Sequence, residues 1–353
     1  MMQKNVQKGF VILALIAAAM FIVSPANAVD FKISGQINRA AMYVDDGSTA
    51  KWFFVDNENS STRFRFTGSN DFNENWKVGI VWEVEMQSNS SDEVSMDETD
   101  IGDITFRKRK IEFWVDHRFG KVWLGQGDMA SNSTSEVDLS GTDVAAYSSM
   151  ADIGGSLVFQ KNGTPTGIKV GNSRSNFDGL SRKDRVRYDT PKWGGFYASG
   201  AVGNNSIWDA ALRYAGDFGW AKLAAAAAWS DFGTVSTDTD SRLSSSASIL
   251  LPFGLNFTAS YARQSQKNTN AWNLFGKVGY KFLEKHAVSA QYGRTKNLSA
   301  KDDKGDSFGL AYVFSPWKSI QFYATYYLHM LDRDKFSDPD DINVGFVGGR
   351  VKF

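Results

Sequence analysis

The side chains best suited to acid–base chemistry are few and scattered. The chain has three histidines, His117, His286 and His329, and no cysteine. None of the histidines stands in a metalloprotease, serine-hydrolase, phosphate-binding or dinucleotide-binding motif. The lack of cysteine excludes disulfides and thiolate metal sites. His329 is the only candidate for a catalytic base, so the sequence argues against catalysis.

Arginine offers a different chemistry, which is the attraction and repulsion of ions. Arg63 and Arg65 are each followed by a phenylalanine, and Arg185 and Arg187 alternate with apolar residues in the same way. In an extended strand this spacing puts the guanidinium groups on one face and the apolar side chains on the other. A guanidinium facing the middle of a bilayer costs about 2–4 kcal/mol. We therefore expect these arginines to face water.

The elements that carry these residues are strands of period two. Apolar residues take alternate positions in four long segments, which are Asp30–Val44, Trp76–Met86, Trp272–Phe282 and Ile320–Met330. Aromatic residues concentrate at the strand ends, as in the girdles of membrane barrels. Beyond the first thirty or so residues, the richest apolar run, Leu223–Trp229, is too short for a membrane helix.

Short connections alternate with long polar ones, for example Asn70–Asn75 with Asp45–Ser60 and Ser88–Asp103. A Trp or Phe lies beside many of the short connections: Trp76, Phe119, Trp193, Trp220, Phe253, Phe282 and Trp317. These features are typical of outer-membrane barrels. We predict an all-β, antiparallel transmembrane barrel of 16 strands with short periplasmic turns and long extracellular loops. The count becomes 18 if Ser156–Gln160 and Thr166–Gly171 pair as a further hairpin.

The N-terminal residues predict export. Lys4 and Lys8 precede an apolar run, Phe10–Val23, and then Ala26-Asn27-Ala28. This is the order of a signal peptide, so we predict that residues 1–28 are removed and that 29–353 form one domain; an uncleaved anchor is the alternative. Without Lys4 and Lys8, the 39 basic residues become 37 against 39 acidic ones. A chain with this nearly even balance of charge has no electrostatic reason to bind nucleic acid.

The chain ends on a strand-like segment, Ile342–Phe353, whose last residue is aromatic. Val351 shares a face with Val347, and Lys352 and Arg350 lie on the other face. Because lipid cannot satisfy a free strand edge, we expect this last strand to close the barrel. It resembles the C-terminal signature of outer-membrane barrels, which implies that the barrel-assembly machinery reads Phe353. An ordinary edge strand is the alternative.

Three further segments resemble the Gram-negative general porin family. They are Ser61–Ser69, Phe119–Gln126 and Arg187–Phe196. The resemblance covers nearly the whole mature chain and implies a homotrimer of barrels, each with a water-filled pore narrowed by the third extracellular loop. In this sequence the corresponding loop region is 129–181.

The resemblance also implies charged groups on opposite sides of that narrowing. Arg63 and Arg109 match family arginines, and with Arg65, Lys110, Arg185 and Arg187 they would form the basic side. The loop carboxylates Glu136, Asp138 and Asp143 would form the acidic side. Two departures are Gln126, where the family commonly has arginine, and Arg65 with Thr67 in place of Gly and Lys.

The alternation is irregular in Arg107-Lys108-Arg109-Lys110. By alternation, Arg109 would share a strand face with the apolar Ile111, whereas Lys110 would share the other face with Glu112. Either a β-bulge shifts the register, or Lys108 and Lys110 face the lumen. A third reading places this cluster above the membrane, against lipopolysaccharide phosphates.

Together these observations predict a porin that admits small hydrophilic solutes and ions by passive diffusion, without cofactor or metal, selecting them by size and charge. Its partners would be lipopolysaccharide and phospholipid, periplasmic chaperones and the assembly machinery. The alternatives are a channel specific for phosphate, carboxylates or sugars, an outer-membrane enzyme using His329, and a structural adhesin. Tyr323 and Tyr327 would fill the wall or, alternatively, stack sugars. Acidic loop clusters could hold Ca²⁺ between lipopolysaccharides, although solvated charge is favoured.

Overall fold

The computed structural model describes residues 30–102, 105–267 and 269–353. The predicted signal peptide lies outside these residues. Strands dominate, and no described helix is long and apolar enough to cross a membrane. The helical segments are single turns at Glu58–Ser60, Met150–Asp152, Val170–Ser173 and Asn204–Ser206.

Nineteen strands follow one another along the described part of the chain. They are β1 (Asp30–Asp45), β2 (Ala50–Asp56), β3 (Arg63–Asn73), β4 (Trp76–Gln87), β5 (Thr105–His117), β6 (Gly120–Asp128), β7 (Val158–Lys161), β8 (Thr164–Lys169), β9 (Arg182–Asp189), β10 (Phe196–Gly203), β11 (Trp208–Asp217), β12 (Lys222–Asp231), β13 (Thr239–Leu250), β14 (Leu255–Gln266), β15 (Ala271–Phe282), β16 (His286–Lys296), β17 (Lys304–Trp317), β18 (Ile320–Asp332) and β19 (Ile342–Lys352).

All but β7 and β8 form one antiparallel sheet that closes on itself. From β3 onward each strand of this sheet pairs with the next along the chain, with β6 pairing with β9, and β19 pairs with β1. Strands β2 and β3 both pair with β1, one with each half, so together they form a single interrupted strand of the wall. The barrel therefore has 16 strands across its wall, which confirms the prediction.

The alternative of 18 strands is wrong, although its hairpin does form. Val158–Lys161 pairs with Thr164–Lys169 in a separate two-stranded sheet that joins no barrel strand. The hairpin belongs to the long connection between β6 and β9, so its alternating residues reflect packing within that connection.

The two faces of the wall differ as period two predicts. Apolar side chains such as Phe31, Ile33 and Trp82 are exposed on the outside, whereas Gln36 and Glu83 on the opposite face are buried. The aromatic residues beside the short turns also lie on the outside: Trp76, Phe119, Trp193, Trp220, Phe253 and Trp317 are exposed, and Phe282 is half-buried. An apolar outer band with aromatic ends matches the surface of a membrane barrel.

The connections alternate in length as expected, with one exception. We predicted a long loop over Asp45–Ser60, but Ala50–Asp56 is strand β2 and only 46–49 form the turn. Trp52 and Phe54 face outward, while Phe53 and Val55 are fully buried inside. Both faces of β2 are apolar, and this removes the alternation by which a strand is recognised.

The last strand closes the wall against the first. Phe353 and Gly35 exchange two backbone hydrogen bonds, of 2.9 and 3.1 Å, and Val351 pairs with Ile37. The Phe353 ring lies directly over Gly35, where a Cβ atom would be 2.6 Å from Cζ of the ring. Any side chain at Gly35 would therefore clash with this ring.

Candidate functional site

The segment 129–181, between β6 and β9, folds back inside the barrel and is named here the inner loop. A backbone hydrogen bond of 2.9 Å from Met129 to Ser181 holds its two ends together. From this neck the loop runs along the inner face of the wall past β11, β13, β15 and β16 to β18. It thus covers one side of the barrel and leaves the opposite side open.

A row of serines on β13 holds the first part of the inner loop. Ser246 and Ser248 accept hydrogen bonds of 2.9 Å from the backbone N–H groups of Val137 and Leu139. The Ser246 hydroxyl also donates to the Thr134 carbonyl over 2.7 Å. Because these serines alternate along the strand, they all face inward, where they satisfy the main chain of a loop that has no sheet partner.

A buried ion pair holds the middle of the inner loop. Lys277 on β15 donates to a carboxylate oxygen of Asp138 over 2.6 Å and to the Ala146 carbonyl over 2.6 Å. Both charged side chains are almost completely buried. Asp138 therefore binds the loop to the wall, and its charge is neutralised there.

The tip of the inner loop contacts the interruption between β2 and β3. Six residues, 57–62, stand here opposite two residues of β1, so the chain bulges into the barrel. From this bulge, Asn57 donates over 2.8 Å to the Val144 carbonyl. On the other side, Thr325 of β18 donates over 3.1 Å to the Ala145 carbonyl.

Beneath the inner loop the wall is apolar. Met42, Val44, Phe53 and Val55 of the wall pack in one buried cluster with residues of the loop. The loop contributes Val144, Ile153, Leu157, Phe159 and Val170. Burial of this apolar surface fixes the loop position.

The returning part of the inner loop is fixed by Arg174, which is fully buried. Its guanidinium donates to Thr295 over 2.6 Å and also contacts Asn273. It lies so close to Gly293 that a Cβ atom there would be 1.7 Å from Nη2. The glycine on β16 thus creates the space that this arginine occupies.

The wall opposite the inner loop carries most of the predicted basic residues. Arg65 donates to Glu83 over 2.6 Å, and Arg109 contacts Glu83 at 2.7 Å and Glu85 at 2.5 Å. Both glutamates come from β4 and are buried. Arg63 has no carboxylate partner among the described residues and makes only long hydrogen bonds to Ser60 and Ser61.

A β-bulge in β5 determines which face of the strand Arg109 and Lys110 occupy. Glu83 pairs with Lys110 and the next residue, Val84, pairs with Lys108, so Arg109 is the additional residue. The bulge turns Arg109 inward beside Lys110, which pairs with Asp128. Lys108 faces outward with Val84, 3.8 Å from Asp184, and does not face the lumen.

The remaining predicted arginines lie next to this group. Arg185 forms a buried ion pair of 2.5 Å with Glu112, and Arg187 contacts Asp189 at 2.8 Å. Arg182 lies 3.3 Å from Asp128. Basic side chains on this wall therefore outnumber carboxylates: Arg63, Arg65, Arg109, Lys110, Arg182, Arg185 and Arg187 face Glu58, Glu83, Glu85, Glu112, Asp128 and Asp189.

The predicted acidic residues occupy three different environments. Asp138 is paired with Lys277, whereas Asp143 at the tip of the loop is exposed. Glu136 is half-buried and accepts a 3.0 Å hydrogen bond from Asn176. Burial, with Asp178 and Asp152 nearby, raises the pKa of Glu136 to about 8, so below that pH it is mostly neutral.

Asp152 lies deeper in the inner loop, where Tyr147 and Ser149 donate to its carboxylate. Burial raises the pKa of Asp152 to about 6 despite these bonds. Of the predicted acidic residues, Asp143 is therefore the one that is exposed and has no ion-pair partner among the described residues.

Tyr323, Tyr327 and His329 face inward on β18 but are buried. The Tyr323 hydroxyl donates to Asn38 over 2.7 Å, and His329 Nδ1 lies 2.8 Å from the Ser307 hydroxyl. The three side chains are therefore part of the packed wall and are not on the open side of the barrel. In the described part of the chain, no group of three or more His, Cys, Asp or Glu is arranged to hold a metal ion.

Sequence reasoning did not identify the partners of the basic residues. Period two placed Glu83 and Glu85 on the inner face, but only the register between strands brings them to Arg65 and Arg109. Lys277 likewise required the path of the inner loop. The serine alternation in 241–248 was a visible signal for the row on β13.

A family model described as Gram-negative porin matches residues 14–334. The chain belongs to the Gram-negative porin family, whose members are outer-membrane channel proteins. Among curated proteins, none matches the chain.

Solved structures share the fold at low sequence identity. The anion-selective porin from Comamonas acidovorans is 16% identical, with a TM-score of 0.66 over 92% of this chain and 100% of that one. OmpT with loop L8 deleted, from Vibrio cholerae, is 16% identical, with a TM-score of 0.61 over 93% and 100%. The outer membrane channel DcaP of Acinetobacter baumannii is 12% identical, with a TM-score of 0.60 over 92% and 98%.

Proposed function

We propose that the protein is a passive diffusion channel whose narrowest part lies between the inner loop and the basic wall. The observation that carries this proposal is the fixed position of the loop, held along one side of the barrel by β13, β15 and β18. A rigid loop inside an otherwise open barrel limits solute size. Fixed charges on the facing surfaces then select among the solutes that fit.

We infer that the channel favours anions at neutral pH. Basic side chains exceed carboxylates on the open wall, Asp138 is neutralised, and Glu136 is mostly protonated. Asp143 supplies the opposing negative charge, so the preference is weak. Because the Comamonas acidovorans porin is named anion-selective, the sign of the preference is the first property to measure.

The proposed assembly is a homotrimer in the outer membrane, surrounded by lipopolysaccharide and phospholipid. A trimer form is named for OmpT of Vibrio cholerae, which has the same fold. Export by the predicted signal peptide of residues 1–28, escort by periplasmic chaperones and recognition of Phe353 by the assembly machinery belong to the same proposal.

Liposome swelling tests passive diffusion directly. Vesicles containing the purified protein are diluted into isotonic solutions of neutral sugars of increasing mass. We expect the swelling rate to fall steadily with sugar size. In vesicles prepared at a series of matched higher osmolarities, we expect it to rise linearly with sugar concentration. Vesicles made with heat-denatured protein are the control. A rate that saturates for one sugar alone would favour a specific channel.

A further inference from the structure

Three basic residues at or beside the joint between β19 and β1 are Arg63, Arg350 and Lys352. Among the described residues they have no carboxylate within ion-pair distance, unlike Arg65 and Arg109. Lys352 and Arg63 lie in one row, on either side of Gln36. At a strand spacing of about 4.8 Å, their Cα atoms are about 10 Å apart. Arg350 lies two residues before Lys352, so it faces inward on the same strand.

We infer that Arg63, Arg350 and Lys352 form a binding subsite for small oxyanions, the carboxylate or phosphate groups of passing solutes. This inference rests on the proposed channel function. It places the selective contact at the closing joint of the barrel, on its last strand, and not within the ion-paired arginines of β5 and β9.

The hydrogen bonds around Ser60 show an excess of donors at this place. The Ser60 hydroxyl oxygen lies 2.8 Å from Gln36 Nε2, 2.9 Å from Arg350 Nη1 and 3.4 Å from Arg63 Nη2. Gln36 Nε2 has further acceptors in the Ser60 and Ser61 carbonyls, but Arg63 and Arg350 carry five N–H donors each and, among the described residues, meet only Ser60, Ser61 and Gln321. An oxyanion supplies the missing acceptor atoms.

The charged groups here also lack direct ion-pair partners among the described residues. Arg350 contacts the neutral amide oxygen of Gln321 at 2.9 Å, and Arg63 contacts only serine hydroxyls. In the described residues, neither guanidinium has a carboxylate within ion-pair distance, in contrast to Arg65 and Arg109. Lys352 is exposed, and its side chain makes no hydrogen bond or ion pair within the same described residues.

Asp143 at the loop tip limits the strength of the subsite. It acts electrostatically on both Arg350 and Lys352. Glu83 acts on Arg63 but also pairs with Arg65 and Arg109, so the site remains net positive, which attracts an anion yet lets it leave. Weak binding of this kind is compatible with transport.

Block of the chloride current by inorganic phosphate tests this inference in planar bilayers. We compare wild-type protein with Arg350→Gln, Lys352→Gln and the control Lys281→Gln. Lys281 lies on β15, with its Cε against Gly141 of the inner loop, and its replacement removes the same charge away from the joint.

We expect saturable block of the wild-type channel. The half-blocking phosphate concentration should rise about tenfold in Arg350→Gln and in Lys352→Gln, equivalent to about 1.4 kcal/mol. In Lys281→Gln it should change less than about twofold. If Arg350→Gln does not fold, Lys352→Gln decides the result, because its side chain holds no structural contact among the described residues.

Equal shifts in Lys352→Gln and Lys281→Gln would overturn the subsite, and so would non-saturating block of the wild-type channel. Either result leaves the diffusion channel intact. Absence of any openings from folded wild-type protein would instead overturn the proposed function.

Discussion

At the scale of single residues, the charge of the inner loop depends on the environment of each carboxylate. Glu136 and Asp152 are held in neutral or partly neutral form by burial, whereas Asp143 is exposed. Three acidic residues that look equivalent in the sequence therefore contribute unequally to the charge of the inner loop. What counts for ion selection is the charge that remains after burial and pairing.

The pKa of Glu136 predicts a change of selectivity with pH. A carboxyl with a raised pKa is neutral below that pH and negative above it, so raising the pH past about 8 adds negative charge to the loop. We expect the anion preference to fall between pH 7 and pH 9. Reversal potentials measured over this range would show the change.

The control for that experiment is Glu136→Gln, which keeps the size of the side chain and cannot ionise. Its reversal potential should change less over this range than that of the wild type, because Glu58, whose pKa burial also raises to about 8, still gains charge there. An identical pH profile in both proteins would contradict the assignment of this titration to Glu136.

At the scale of elements, how well the sequence predicts structure depends on how many faces of a strand are apolar. Strands with one polar face, such as β1 and β4, follow the predicted ranges closely. β2 was missed because the loop covers its inner face, so Phe53 and Val55 are as apolar as their outward neighbours. A local pattern cannot show that a distant segment covers a strand.

The candidate site was accessible to sequence reasoning in the same limited way. The alternation of side chains in a strand depends only on neighbours along the chain. It was therefore enough to put Arg63 and Arg65 on one face. The bulge at Arg109 and the pairing of Lys277 with Asp138 depend on contacts between segments far apart in sequence. Such contacts are set by strand register and by the path of the loop.

The buried ion pair makes a prediction about the inner loop. In Lys277→Met, Asp138 is left buried without its charged partner and keeps the hydrogen bond from the Ser140 backbone N–H. Breaking a buried ion pair in this way costs about 3–5 kcal/mol. We expect the middle of the loop to detach, giving larger and noisier single-channel currents and faster proteolysis within 129–181.

The double variant Lys277→Met with Asp138→Asn is the matched control, since it removes both charges together. Its currents and its resistance to protease should return toward those of the wild type. If the single and double variants behave alike, the pair does not hold the loop.

At the scale of the whole molecule, closure of the barrel depends on the contact between Phe353 and Gly35. A methyl group at Gly35 would meet the Phe353 ring at 2.6 Å and the Arg63 carbonyl at 2.8 Å. We expect Gly35→Ala to reduce the fraction of protein that folds into a heat-modifiable barrel on gel electrophoresis.

Gly345→Ala provides the comparison for this prediction, because Gly345 also lies on the closing joint but has room for a methyl group. A Cβ atom added at Gly345 would have Cβ of Tyr43 as its nearest neighbour, at 3.9 Å. Equal folding of the two variants would contradict the role assigned to the joint.

The central claim is that fixed charge between the inner loop and the basic wall selects ions, and a reversal potential across a KCl gradient tests it most directly. We predict a weakly anion-selective wild-type channel. In Arg63→Ser combined with Arg65→Ser, we predict a larger conductance and an anion-to-cation permeability ratio lowered about twofold, equivalent to about 0.4 kcal/mol. Lys77→Ser, which removes an exposed lysine paired with Asp71, should leave both properties unchanged. Unchanged conductance and selectivity in the double variant would contradict the account.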